Sequence, residues 1–402
     1  MTMVYAPSQK ILDKYADVLV NFALNRGKGI KKGDVVILQV PECAKPLLIS
    51  LRKALLKAGA NFITQYSPEG IAKDFYELAN DKQLNFFPDK YYKGLVEQAD
   101  SFLSIDSTID KYELAKVPPK KIMTRSKSMK PYLNWRDEKE NKGKLSWVLA
   151  LYGTEAMAKD VGMSAKEYWN QIIKACYLDE KNPVKKWKEA DNEIYRIIGI
   201  LNKLKIKKLH IKSKNVDLVV GIGKNRKWLG GRGLNIPSFE IFISPDCRMT
   251  NGKIKFNQPL YRYGNLINGI SLEFKNGRVI RASAKKGEKV LKEMIAVKGA
   301  DMIGEFSLTD NRLSRINKFM GETLFDENFG GKYGNTHIAL GNAYQDSYPG
   351  NLSKVKKSQW KKMGYNKSVI HTDMISTENR IVTAFLEDGT QKVIYRDGKF
   401  VV

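Results

Sequence analysis

Only three cysteines occur in the 402 residues, Cys43, Cys176 and Cys247, and no two of them form a CxxC pair. Their odd number and wide scatter argue against a disulfide framework. They fit a reducing compartment, where a free thiol packs as a small buried hydrophobe. Histidine is equally scarce: His210, His337 and His371 are all there are. Acidic side chains are outnumbered, 43 against 69 Lys and Arg, which leaves a formal charge of +26. No uncharged apolar stretch approaches the ~20 residues that would span a bilayer, so no membrane-crossing helix is expected. The start, MTMVYAPSQKILDKYADVLV, has no basic run, apolar core and small-residue cleavage site in sequence. No signal peptide is therefore read, and a soluble cytoplasmic protein is expected. In that compartment the triplets Asn351-Leu352-Ser353 and Asn366-Lys367-Ser368 carry no glycosylation meaning.

The positive balance raises nucleic acid as a partner, through phosphate contacts. The lysines, however, are spread over both halves. The densest group, Lys205, Lys207, Lys208, Lys212 and Lys214, surrounds a short β-like run with no recognition motif. A lysine-rich solvated surface explains it, and any nucleic-acid binding would be non-specific. Val219-Val220-Gly221-Ile222-Gly223 opens like a dinucleotide fingerprint. Arg226 stands where the third glycine belongs, and no helical pattern follows Trp228-Leu229-Gly230-Gly231, so a tight turn between strands is the better reading.

The length suits two domains, each able to bury a core. In the first half, Ile11, Tyr15, Val18, Leu19 and Phe22 recur at helical spacing. Val35 to Val40 is a continuous apolar run of the kind found in buried parallel strands. A helix from Pro46 to Leu56 ends at Gly59, and Asn61 to Thr64 reads as the next strand. This β-α-β order implies a parallel sheet. Asp100 to Ile105 reads as another strand, with a further one near Lys120-Lys121-Ile122-Met123. Ser164 and Glu167 form a capping box that starts a helix. A second helix runs from Val184 to about Leu204. Beyond it come short alternating runs: Leu209 to Ile211, Val216 to Val220, Glu240 to Ser244, Gly269 to Phe274 and Arg278 to Ala282, with one helix from Lys286 to Ala296. Asn276-Gly277 marks a tight hairpin, and Val393 to Val401 reads as another. The expected architecture is an α/β N-terminal domain with a parallel sheet, residues 1–190, followed by a strand-rich α+β C-terminal metal-binding domain, residues 191–402.

The residues able to do chemistry gather in the second half. His371 and Asp373 are two apart behind Val369-Ile370, and strand spacing points both to one face, within reach of one metal ion. That triplet alone also fits a surface histidine beside an aspartate. His337 lies between glycines in Gly334-Asn335-Thr336-His337-Ile338-Ala339-Leu340-Gly341, with Tyr344 seven residues on, a pattern shared with ordinary loops between core strands. Glu240 precedes the apolar Ile241-Phe242-Ile243, and Glu305 sits inside Gly304-Glu305-Phe306-Ser307-Leu308. A carboxylate in such a run is costly to bury without a partner, although a strand with one wet face would also carry it. Taken together, three carboxylates, two imidazoles and a phenol suit a pair of borderline divalent ions such as zinc, cobalt or manganese.

Six segments in order, NIPSFEIFISPD, GADMIGEFSL, LFDEN, HIALGNAY, HTD and DGT…YRDGKFV, resemble the thermophilic aminopeptidase family of the T and S type. KYADVLVNFAL, KKGDVVILQV, LLKAGAN and GMSAKEYWNQIIKACYLDEKNPVKKW extend the resemblance over nearly the whole chain. It implies that Glu240, Glu305, His337, Tyr344, His371 and Asp373 are metal ligands. Glu327, in the DEN motif, is a further acidic candidate. The chain departs from the family pattern at Phe239, where a glycine usually precedes the first ligand. It also departs at Gly330-Gly331-Lys332-Tyr333-Gly334, which lengthens the stretch before His337, and at Met374 to Glu378. Substrate preference and the role of Glu327 stay open on that account.

The resemblance further implies a cytoplasmic metalloprotease, a hydrolase that uses two divalent ions, Zn²⁺, Co²⁺ or Mg²⁺, about 3.5–4 Å apart and sharing one hydroxide. Glu240 or Glu305 would bridge the ions. Tyr344 would ligate or hydrogen-bond the tetrahedral oxyanion. Glu305 or Glu327 would carry the proton to the leaving amine. Short peptides are the expected substrates and a homodimer the expected assembly. The rivals are a basic nucleic-acid-binding protein with a vestigial metal site and another metal-dependent amide hydrolase on the same scaffold.

Overall fold

A computed structural model describes residues 5–262 and 265–402. The chain divides into two compact units, Met1–Lys188 with Arg232–Ile236, and Glu189–Gly231 with Pro237–Val402. No helix among the described residues is long and apolar enough to cross a membrane.

The first unit is built on a five-stranded sheet, and every pairing in it is parallel. In spatial order its strands are Asn61–Ser67, Val35–Pro41, Ser101–Asp106, Ser146–Leu151 and the short Asn235–Ile236. Val36, Ile37 and Leu38 are all fully buried, so successive residues on both faces of the sheet are covered. That is why these strands read as unbroken apolar runs rather than alternating ones. On one face Ile37 and Phe102 pack with Leu95, Val96 and Tyr132. Ser164 caps its helix, Ala165–Ala175, with the reciprocal Glu167 contact expected of a capping box.

One expectation fails here. Lys120 to Met123 lies in a helix, Pro119–Ser128, not beside a strand. Pro119 stands at its first helical position, where a missing N–H costs nothing, and the two apolar residues Ile122 and Met123 are too few to form a buried strand. The fourth strand is Ser146–Leu151, whose SWVLAL run carries the same apolar signature as Val35 to Val40.

The second unit is antiparallel. An eight-stranded sheet contains the two expected hairpins. Asn276 and Gly277 both have positive φ, 49° and 82°, as the tightest hairpin turn requires, and Asp397 and Gly398 repeat this at the C-terminus. Gly223, where the fingerprint reading failed, is likewise a positive-φ turn with no helix after it. A separate five-stranded sheet runs, in order, His371–Ser376, Asn335–Gly341, Ile303–Thr309, Glu240–Ile243 and Leu229–Gly230. This sheet carries the candidate site.

Candidate metal centre

The register of the smaller sheet decides which side chains meet. Thr309 pairs with Glu240, and Ser307 pairs with Phe242 on one side and His337 on the other. Ala339 lies between Glu305 and Asp373, and Gly341 opposes His371. Directly opposed residues in an antiparallel sheet share a face. Glu240, Glu305, His337, His371 and Asp373 therefore all project from one face of four adjacent strands. The intervening positions on that face include Ser307, Ala339 and Gly341, which are small and leave room above the sheet. A register slip of one residue would scatter the set to both faces.

Two close approaches hold this geometry. The pairing shifts between Ile303 and Glu305, and a side chain at Gly304 would meet the Asn342 carbonyl at 2.1 Å. Gly341 has φ +109°, and a Cβ there would lie 1.9 Å from the Ile370 carbonyl. Glycine alone fits both places.

His337 is the buried centre. Its Nε2 lies 3.0 Å from Glu305 Oε1 and 3.3 Å from Glu240 Oε2. Glu240, Glu305 and His337 each offer a ligand atom, all within 4.8 Å of one another. His371 Nε2 lies 3.8 Å from Glu305 Oε2 and 3.5 Å from Asp373 Oδ1. Each ring is aimed from behind by a backbone carbonyl: His337 Nδ1 donates to Glu327 O at 3.2 Å, and His371 Nδ1 donates to Asn342 O at 2.8 Å. Such contacts fix which nitrogen faces a site. Asn335 donates to the same Glu327 carbonyl and to Phe329 O, which ties the loop carrying Glu327 to the His337 strand.

Glu327 caps the short helix Thr323–Asp326 and is buried among the same groups. Tyr344 follows the His337 strand and is 45% exposed. Its ring packs on His371 at 4.7 Å and on Phe242 at 5.9 Å, so it walls the site toward solvent. All seven residues singled out from the sequence are thus brought together. The carbonyls of Glu327 and Asn342, the Asn335 amide and the Phe242 wall were not anticipated. Backbone acceptors leave no residue-type signal, although Asn335 stands two residues before His337 on one strand.

The charges are mutually unfavourable as they stand. Desolvation pushes Glu305 up to about 7; the His337 hydrogen bond opposes that, and the nearby Glu240 and Asp373 carboxylates add to it. Glu327 is raised well above the carboxylate range by burial, then by Glu240 and Asp373. Desolvation would lower both histidines. For His337 the Glu240 and Glu305 carboxylates outweigh it, and for His371 Asp373 and Glu305 carry the pKa up to about 9. Burial would raise Asp373, but its hydrogen bond to His371 and the charges of His371, His337 and Arg262 hold it low. Partial desolvation and then the four carboxylates push the Tyr344 phenol upward. Four carboxylates so close are costly without compensating positive charge. Ser307 Oγ, on the same face, is buried without a hydrogen-bond partner. The oxygen and nitrogen donors fit divalent cations of the borderline class.

The sequence profile described as thermophilic metalloprotease (M29) matches residues 8–400. The chain is 29% identical to aminopeptidase PepS of Streptococcus thermophilus over the full length of both proteins. It is 28% identical to aminopeptidase T of Thermus thermophilus, covering 97% of this chain and 98% of that one. The solved structure of wild-type AmpT from Thermus thermophilus superposes with a TM-score of 0.84 at 26% identity, over 98% of this chain and 100% of the other. The parallel-sheet first unit and the strand-rich second unit match that structure.

Proposed function

This chain belongs to the thermophilic metalloprotease (M29) family, and we propose that it is an aminopeptidase that removes N-terminal residues from short peptides using two divalent ions. The observation that carries the two-ion reading is the orientation of Glu305, whose Oε1 approaches His337 and whose Oε2 approaches His371. One carboxylate thus stands between two donor sets, Glu240 with His337 and Asp373 with His371. Glu305 would hold both ions in this reading, and Tyr344 would be the outermost ligand or oxyanion donor. Zn²⁺, Co²⁺ or Mg²⁺ would fill the sites.

Divalent ions held by these residues would supply Lewis acidity for the scissile carbonyl and a water of lowered pKa. The protein residues do the rest. Glu240, Glu305 and Asp373 place negative charge where cations must sit, and the carbonyls behind the two histidines keep their Nε2 atoms facing inward. With Glu305 committed as the bridge, Glu327 is left to take a proton from the attacking water and return it to the leaving amine. Tyr344 and Phe242 wall the entrance, where the first side chain of a peptide would lie. Catalysis is assigned to residues 191–402 of a cytoplasmic homodimer. The basic surface makes at most non-specific contact with nucleic acid. A vestigial site is disfavoured because the complete donor set converges on one face.

A panel of amino-acid p-nitroanilides and dipeptides, assayed before and after EDTA and with Zn²⁺ or Co²⁺ restored, tests the activity. Loss on chelation and recovery with metal are expected, whereas an active enzyme insensitive to chelator would contradict the reading. Protons should also compete with the ions. His371, carried up to about 9, and His337, held well above the ordinary imidazole range by the Glu240 and Glu305 carboxylates, keep protons at pH 7 in chelator-treated protein, and ligation needs both neutral. Metal binding should therefore release protons, and affinity should rise with pH between about 6 and 9. Calorimetry in two buffers of different ionisation enthalpy measures this, and identical heats in both would count against histidine ligation.

A further inference from the structure

A cavity of about 910 Å³ opens in the second unit, and none of the seven site residues lines it. Six cations do: Arg248, Arg278, Lys298, Lys357, Lys361 and Lys367. Asp301 is the one carboxylate in its lining, and it is engaged by Arg278. Arg248 is held by Asp246 at 2.6 Å. Subtracting those two acids from the six cations leaves four lysines, and no carboxylate among the described residues lies within ion-pair distance of any of them. A concave wall with one sign of charge concentrates its field and draws counter-ions of the opposite sign. The floor is apolar. Trp360 and Tyr365 meet edge to face at 4.9 Å, beside Ile295 and Met302.

These two properties define the ligand. Four uncompensated lysines call for several negative charges in one molecule, more than a single peptide carboxylate offers. The apolar floor calls for a flat or hydrophobic body attached to them. The volume falls in the range of roughly 300–1,000 Å³ typical of small-molecule sites. We propose that this cavity binds a nucleoside polyphosphate, its phosphates among the lysines and its base toward Trp360 and Tyr365. The cavity wall includes Asn342, whose carbonyl orients His371, so the site shares a segment with the metal centre.

Calorimetry on the metal-loaded enzyme, with Mg²⁺-saturated ATP as the probe near 150 mM salt, tests this directly. Saturable binding of one ATP per chain is expected, weaker binding of pyrophosphate, and none of adenosine. The double variant Lys361→Glu/Lys367→Glu changes two exposed side chains and should weaken ATP binding at least 10-fold, with hydrolysis of a short peptide unchanged. Lys298→Glu, on a separate segment, should weaken it as well. Absence of saturable ATP binding, or equal affinity in the charge-reversed proteins, overturns the site. Pyrophosphate binding as tightly as ATP removes the nucleoside from the proposal. Neither result bears on the peptidase reading, which rests on the seven residues of the metal centre, none of which lines this cavity.

Discussion

Glu305→Gln is expected to lower kcat/KM by on the order of 10³-fold or more and to reduce the bound metal from two ions to one or none. The carboxylate lies between His337 and His371, and a neutral amide cannot offset the repulsion between two cations. The same substitution should not harm the fold of the chelator-treated protein. Glu305 is buried beside Glu240 and Asp373, and desolvation and like charge both penalise its ionised form. The variant without metal should therefore melt at or above the temperature of the wild type without metal. Added Zn²⁺ should raise the melting temperature of the wild type and leave the variant almost unmoved. Plasma emission spectroscopy and scanning calorimetry give both quantities. A variant that keeps two ions and most of its activity would end the bridging assignment.

The second large effect falls on the proton. Glu327→Gln should leave metal content near the wild-type value, because the contact that Glu327 makes to His337 comes from its backbone carbonyl and survives the change. It should lower kcat by about 10²–10⁴-fold with little change in KM. That loss corresponds to about 3–5 kcal/mol of transition-state stabilisation. The acidic limb of the kcat profile should flatten at the same time, since the group that must lose a proton is gone. A variant with full kcat would move the proton-transfer role elsewhere. A variant that lost its metal would make Glu327 a ligand instead. The pairing of the two substitutions separates the roles: one removes ions, the other removes turnover at constant ion content.

Much of this molecule was legible before folding was considered. Local signals worked where the physics is local. Ser164 with Glu167 specifies a helix start because two backbone N–H groups and two side chains satisfy one another within four residues. Asn276-Gly277 specifies a hairpin because few residue pairs tolerate successive positive φ. The same reasoning misplaced Lys120 to Met123, where Pro119 and surrounding charge favour a helix and two apolar residues are too weak a sign of a strand. Ser146–Leu151, by contrast, is a strand whose apolar run is as continuous as that of Val35 to Val40.

For the site, the sequence by itself singled out the candidate donors: two of only three histidines, a carboxylate two residues after one of them, and glutamates set into apolar runs. It also determined, by strand period, that His371 and Asp373 share a face. What only the tertiary structure decided is that Glu240, Glu305, His337 and the His371–Asp373 pair share the same face, since that depends on the register of four strands drawn from more than 130 positions of chain. The shift at Glu305 and the close approaches at Gly304 and Gly341 set that register. The cost of crowding buried carboxylates likewise exists only in the folded protein. Charge repulsion and desolvation depend on distance and burial through space, and neither can be read along a chain.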